Sequence, residues 1–216
     1  MLDVAQGGIL FNMLNTLRGG KVYAVDLTRS AIKLVKENAK LNNVKIKAKV
    51  DNAENLDFKS NYFDLVISSG VLHHTPNILN AFSEISRVLK NNGTAKLTFY
   101  KKNILFNKKI FLLVILIMKI FKIKHPSQKK IKIQNQDDFI RQYDGPNNPL
   151  GIGLYKNEWI SLLKKKFIIE KVETHYFPLR FVPFKKIIPK WIHYIFDKVF
   201  GTMIYFQLKK SKNVQS

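Results

Sequence analysis

The apolar positions of the first hundred residues recur in a fixed order. Leu2 and Val4 flank Asp3, a Gly7-Gly8 turn follows, and an amphipathic segment leads to Val22-Tyr23-Ala24-Val25-Asp26. This pattern reads as a buried strand, a tight turn, a helix and a second strand with a carboxylate at its carboxyl end. Thr28 or Ser30 can cap the next helix, whose apolar positions are Ile32, Leu34, Val35, Ala39 and Leu41. Further strands are predicted over residues 44–50, 62–68 and 94–100, the last after a turn at Asn92-Gly93, with a helix opening near Pro76. Strands separated by helices of this length require right-handed crossovers. The prediction is an α/β fold with a doubly wound, mostly parallel sheet.

Beyond residue 100 the rhythm changes. Residues 110–118 form an apolar run between Lys108-Lys109 and Lys119. A spanning helix needs about 20 apolar residues. The run therefore suits a buried cap helix or one lying at a bilayer surface, and the cap is the simpler expectation. Residues 129–137 are polar and read as a loop, a helix begins at Tyr155 or Asn157, and residues 167–175 and 202–209 read as strands. The expected organisation is a core over 1–100, a helical cap over 101–160, and strands completing the sheet over 161–216.

Ligands in such sheets bind beyond the carboxyl ends of the strands, where Gly7, Asp26, Asn52 and Ser69 would converge. A carboxylate at the second strand's end can accept hydrogen bonds from both hydroxyls of a ribose, and the preceding turn lets backbone approach the rest of a nucleoside. The plainer alternatives are a helix-capping acid for Asp26, an ordinary turn glycine for Gly7 and a buried structural acid for Asp3.

Four segments in order over residues 1–100 resemble class I S-adenosylmethionine-dependent methyltransferases. Asp3-Val4-Ala5-Gln6-Gly7-Gly8-Ile9 is similar to the family's first motif, Asp/Glu-x-Gly-x-Gly-x-Gly, with Ala5 and Ile9 in two glycine places. A register shifted by one residue instead aligns Gly7 and Gly8 with two family glycines. Val50 to Phe58 resembles the third-strand segment, with Asn52 in the place of an Asp and Ala53 beside it. Tyr62 to His74 resembles the fourth strand and the loop that faces the transferred methyl group, and Ala81 to Gly93 resembles the following helix and turn. Farther on, Tyr143-Asp144-Gly145 and Asn148-Pro149-Leu150 resemble a loop and turn in one branch of the family.

The resemblance implies a seven-stranded Rossmann-like sheet, its last strand antiparallel, under a helical cap. It implies S-adenosylmethionine as cofactor, held by Asp3, Ala5, Gly7, Asp26, Leu27, Asn52, Ala53 and Ser69. His73 and Asp144 are the candidate catalytic residues on the acceptor side, with Tyr143 beside the latter. Imidazole titrates near neutral pH, which suits a general base, although the family more often packs a histidine at His73-His74. Two adjacent histidines without further ligands make no metal site. The expected activity is methyl transfer to a small-molecule or lipid-linked acceptor. Its rival is a non-catalytic member of the fold acting as a basic membrane-surface or nucleic-acid module.

Charge alters this picture only in the second half. The 216-residue chain carries a net +22, of which residues 1–100 hold +5 and residues 101–216 hold +17. Only five of the 37 basic residues are Arg, whereas nucleic-acid readers favour Arg forks. A solvated lysine face is thus preferred over nucleic acid as the reading. Phe181, Phe184, Trp191, His193, Tyr194, Phe196 and Phe200 alternate with Lys185, Lys186, Lys190 and Lys198. That mixture suits a helix packed on the sheet, or a peripheral contact with an anionic membrane. The absence of cysteine excludes disulfides and Cys-based zinc sites. No secretory leader is recognised, so a cytoplasmic location, peripheral at the membrane, is expected. A central strand at Met1 with no helix before it leads to the expectation that the reading frame is truncated at its start.

Overall fold

The computed structural model describes residues 1–4, 20–122, 138, 140, 150–177 and 189–211. Its seven strands are β1 (Leu2–Val4), β2 (Val22–Asp26), β3 (Ile46–Val50), β4 (Phe63–Ser69), β5 (Leu89–Tyr100), β6 (Phe167–His175) and β7 (Met203–Lys210). They form one sheet in the order β3-β2-β1-β4-β5-β7-β6. The β1–β2, β1–β4, β2–β3 and β4–β5 pairs are parallel. β7 runs antiparallel to its neighbours. At its start the Thr202 carbonyl accepts from Lys101 N and Thr202 N donates to Tyr176, while at its end Ser211 N donates to Lys166. The doubly wound sheet with an antiparallel last strand is the architecture expected from the sequence.

Five described helices accompany the sheet: α1 (Arg29–Leu41), α2 (Ile78–Val88), α3 (Lys108–Ile120), α4 (Lys156–Lys164) and α5 (Lys190–Phe200). Thr28 caps α1 by accepting from Ala31 N, and α1 buries Ile32, Val35 and Ala39 at helical spacing. Val35 meets Val22 and Ala24 of β2, with Val44, Ile46 and Ala48 packed against them. Asn77 caps α2, which buries Ala81, Phe82, Ile85 and Val88. The chain passes from Val88 directly into β5. Phe63 pairs with Leu89 and Leu65 with Thr94, so residues 90–93 bulge from the ladder where a turn was expected. Gly93 sits tightly in that bulge, because a Cβ there would lie 2.8 Å from Leu89 Cγ.

The residues cluster into two units, one of Met1–Thr98, Ile160–Lys171 and Phe206–Ser216, the other of Phe99–Trp159 and Val172–Tyr205. In the second unit, Trp159 stacks on Phe99 at 4.3 Å and donates its indole N–H to the Tyr100 carbonyl. Asp197 of α5 accepts from Phe177 N at 2.7 Å and lies 3.1 Å from His175 Nδ1. Asn107 caps α3, and Lys122, at φ 50°, ends it. Phe111 is the anchor of α3, stacked on Phe106, while most of its other apolar side chains face water instead of the buried setting expected of a cap helix.

Candidate functional site

β1 to β4 are parallel, so their carboxyl ends open on one edge, and Asp26 lies opposite Val50 while Asp3 lies opposite Ile67. Strand order reverses between β1 and β4, the position at which a doubly wound sheet forms its ligand crevice.

Asp26 ends β2. Its Oδ1 accepts from both the amide and the hydroxyl of Thr28, each at 2.8 Å, while its second oxygen has no donor among the described residues. The helix-capping role belongs to Thr28. Leu27, immediately after, is 71% exposed and presents an apolar surface beside the carboxylate. Asp3 is buried, and burial, reinforced by the charge of Asp26, pushes its carboxyl up to about 7.

The loop after β3 is held at both ends. Asp51 accepts from Asn52 N and Asp57 N, and Lys49 pairs with Asp51 and Asp57 at 3.2 and 2.8 Å. Asn52 is exposed, and its Oδ1 accepts from Glu54 N at 3.0 Å, leaving one lone pair of that oxygen directed elsewhere. Ala53 beside it is half-buried. Glu54 receives Asn77 N, Glu84 receives Leu56 N, and Arg87 donates to the carbonyls of Leu56 and Phe58 and to Glu84. This clamp lowers the Glu84 carboxyl from its ordinary value, chiefly through its hydrogen bond from Arg87.

Ser69 ends β4 half-buried, and Gly70 follows at φ 71°, a left-handed conformation that turns the chain out of the strand. The Gly70 amide donates to Thr98, and the Ser68 hydroxyl donates to the Val4 carbonyl, joining the ends of β4 and β1. His73 lies in a short 3-10 turn, Leu72–His74, fully buried with its ring 4.1 Å from that of His74. The edge thus gathers Asp3, Asp26, Leu27, Asn52, Ala53 and Ser69. Ala5, Gly7, Tyr143 and Asp144 lie outside the described residues.

Sequence reading missed the clamp of Glu54, Glu84 and Arg87. The Glu84-x-x-Arg87 spacing on a helix was its one local signal; its partners lie some thirty residues away in sequence.

Against known families, residues 2–97 match the model described as a methyltransferase domain. That match runs from β1 through most of β5, and over it the chain is similar to methyltransferase domains. Over 94 residues, 43% of this chain, it is 36% identical to a ribosomal protein L11 methyltransferase of Dictyoglomus thermophilum. Over 93 residues, also 43% of this chain, it is 32% identical to a ubiquinone biosynthesis O-methyltransferase of Pelagibacter ubique. The matched segment spans 30% and 38% of those relatives, about a third of their length. Among solved structures, the PH0226 protein of Pyrococcus horikoshii superposes with a TM-score of 0.62 at 20% identity, over 97% of this chain and 81% of its own. That likeness concerns the fold, and extends it past the methyltransferase domain's matched residues.

Proposed function

We propose that this chain binds S-adenosylmethionine along the carboxyl edge of β1 to β4 and transfers its methyl group to a small-molecule or lipid-linked acceptor. The observation that carries the proposal is Asp26, a strand-end carboxylate with one oxygen committed to Thr28 and the other without a described donor. That oxygen suits a ribose diol, and exposed Leu27 suits the face of a purine. Asn52 offers an acceptor for an exocyclic amine, on a loop fixed by Glu84 and Arg87. Asp3 lies buried in β1, and a cation placed beside it would draw its carboxyl back toward ionisation. S-adenosylmethionine, when bound, supplies a methyl group already activated by its sulfonium, so the protein's work is alignment and exclusion of water. Full burial of His73 favours a packing role, supporting the turn after β4, over proton transfer from an acceptor.

Titration calorimetry with the cofactor and with its demethylated product tests the proposal. Hydrogen bonds to a charged acceptor contribute about 1.5–3 kcal/mol, so Asp26→Ala weakens binding by roughly 10- to 150-fold. Absence of binding by folded wild type would reject the reading, and unchanged affinity in Asp26→Ala would remove Asp26 from it.

A further inference from the structure

Helix α3 turns an apolar face outward. Leu112, Leu116 and Ile120 form one exposed row at four-residue spacing, Leu113 and Ile117 form a second beside it, and Phe121 extends the patch. Leu112 and Ile120 are 65% and 64% exposed, whereas Phe111, on the opposite side, is 7% exposed. An amphipathic surface helix does the reverse, keeping apolar residues in and polar ones out. A contiguous exposed patch of this kind marks an interaction surface.

Charge identifies the occupant. Lys109, Lys119 and Lys122 are exposed at the two ends of the helix. Across residues 85–136 the sequence holds 13 Lys or Arg and no Asp or Glu. A polyanion would engage the lysines but leave both leucine-isoleucine rows in water. A second copy would cover the rows but bring two sets of lysines together. An anionic bilayer satisfies both features at once. The helix has 13 residues, about 20 Å at 1.5 Å per residue, against a hydrocarbon core of about 30 Å. Among the described residues no helix is long and apolar enough to cross a membrane.

We propose that α3 docks flat on the surface of an anionic lipid bilayer. Its two outward rows enter the boundary between headgroups and acyl chains, and Lys109, Lys119 and Lys122 meet the lipid phosphates. This surface uses none of the residues assigned to the cofactor edge, and its test requires no cofactor.

The experiment is co-sedimentation of the full chain with phosphatidylcholine–phosphatidylglycerol vesicles, with pure phosphatidylcholine vesicles and, separately, with RNA. Wild type is expected to bind the anionic vesicles, to release at high salt, and to bind neutral vesicles poorly. The pair Leu116→Gln and Ile120→Gln, both at exposed positions, leaves the circular dichroism spectrum unchanged and lowers vesicle binding at least about 10-fold. The pair Lys109→Glu and Lys119→Glu lowers it about 10- to 30-fold and flattens the salt dependence. Failure of wild type to bind anionic vesicles overturns the proposal, as does wild-type binding by the Leu116/Ile120 pair. A loss seen with Trp191→Ala but not with that pair would move the contact to α5 and overturn the assignment to α3. Light scattering that shows a wild-type dimer dissolved by the Leu116/Ile120 pair, without vesicle binding, would assign the face to a second copy instead.

Discussion

Helices α2 and α3 are both rich in large apolar residues, yet they use them in opposite ways. In α2, Ala81, Phe82, Ile85 and Val88 have no exposed surface, and its polar positions carry Glu84 and Arg87, which fasten the loop after β3. In α3, five large apolar side chains face outward, with Phe121 just past its end, and one described side chain, Phe111, is buried. The periodic helix is committed to its own sheet, and its polar stripe is free to hold the loop after β3. The helix without a polar stripe has more apolar surface than its own fold covers, and that surplus is what the proposed bilayer contact would use.

Truncating each helix at its apolar face separates the two cases. Phe82→Ala opens a cavity in a sealed core and is expected to cost about 3–5 kcal/mol in urea unfolding. The contrast would fail if this variant were as stable as wild type.

Burial in the first unit also acts on charge. The Asp3 carboxyl is raised from 3.8 to about 7, so between those values the folded chain holds a proton that the unfolded chain has released. Stability from this group is therefore present at low pH and is lost as pH rises from about 4 to 7, at up to 1.4 kcal/mol per unit. Asp3→Asn lacks that loss, so its stability relative to wild type should climb over the same window and level off above it. Parallel pH curves for the two proteins would show that Asp3 is not shifted. The paired acids Asp57, Asp64 and Glu84 are lowered and contribute with the opposite sign, but they are common to both proteins and drop out of the difference.

The smallest effect is expected on α3. Leu116→Ala removes an exposed side chain and should change stability in solution by no more than about 0.5 kcal/mol. A cost of several kcal/mol would mean that the face is covered in solution and would erase the contrast with α2.

What the sequence disclosed follows the range of the interactions involved. The second strand, its terminal Asp26 and the cap that follows are written in adjacent residues; strand and acid lie where the pattern put them, and of the two candidate caps, Thr28 and Ser30, the helix uses Thr28. β6 has the expected limits, and β7 is displaced by one residue, because alternation along an extended strand is also local. The junction of α2 and β5 was less legible. Leu89 joins the ladder opposite Phe63, and Lys90 reaches Asp64 at 2.7 Å, so the strand begins before the Asn-Gly pair that marks the turn. The outward face of α3 was hidden for a different reason. A helix that is apolar on every side carries no periodicity to distinguish inside from outside. The clamp on the loop after β3 was hidden by distance along the chain.

The place of β7 between β5 and β6 has a consequence for how the protein is made. β6 is an edge strand, and its single hydrogen-bonded neighbour in the sheet is β7. On the ribosome β6 emerges first, and residues 176–202 must follow before its partner appears. For that interval β6 is an unpaired strand whose backbone groups are open to any other extended chain. β7 must then enter between two strands already synthesised, closing contacts of long sequence separation, the slow class in folding. The same residues that complete the sheet therefore set the moment at which a nascent chain ceases to be prone to aggregation.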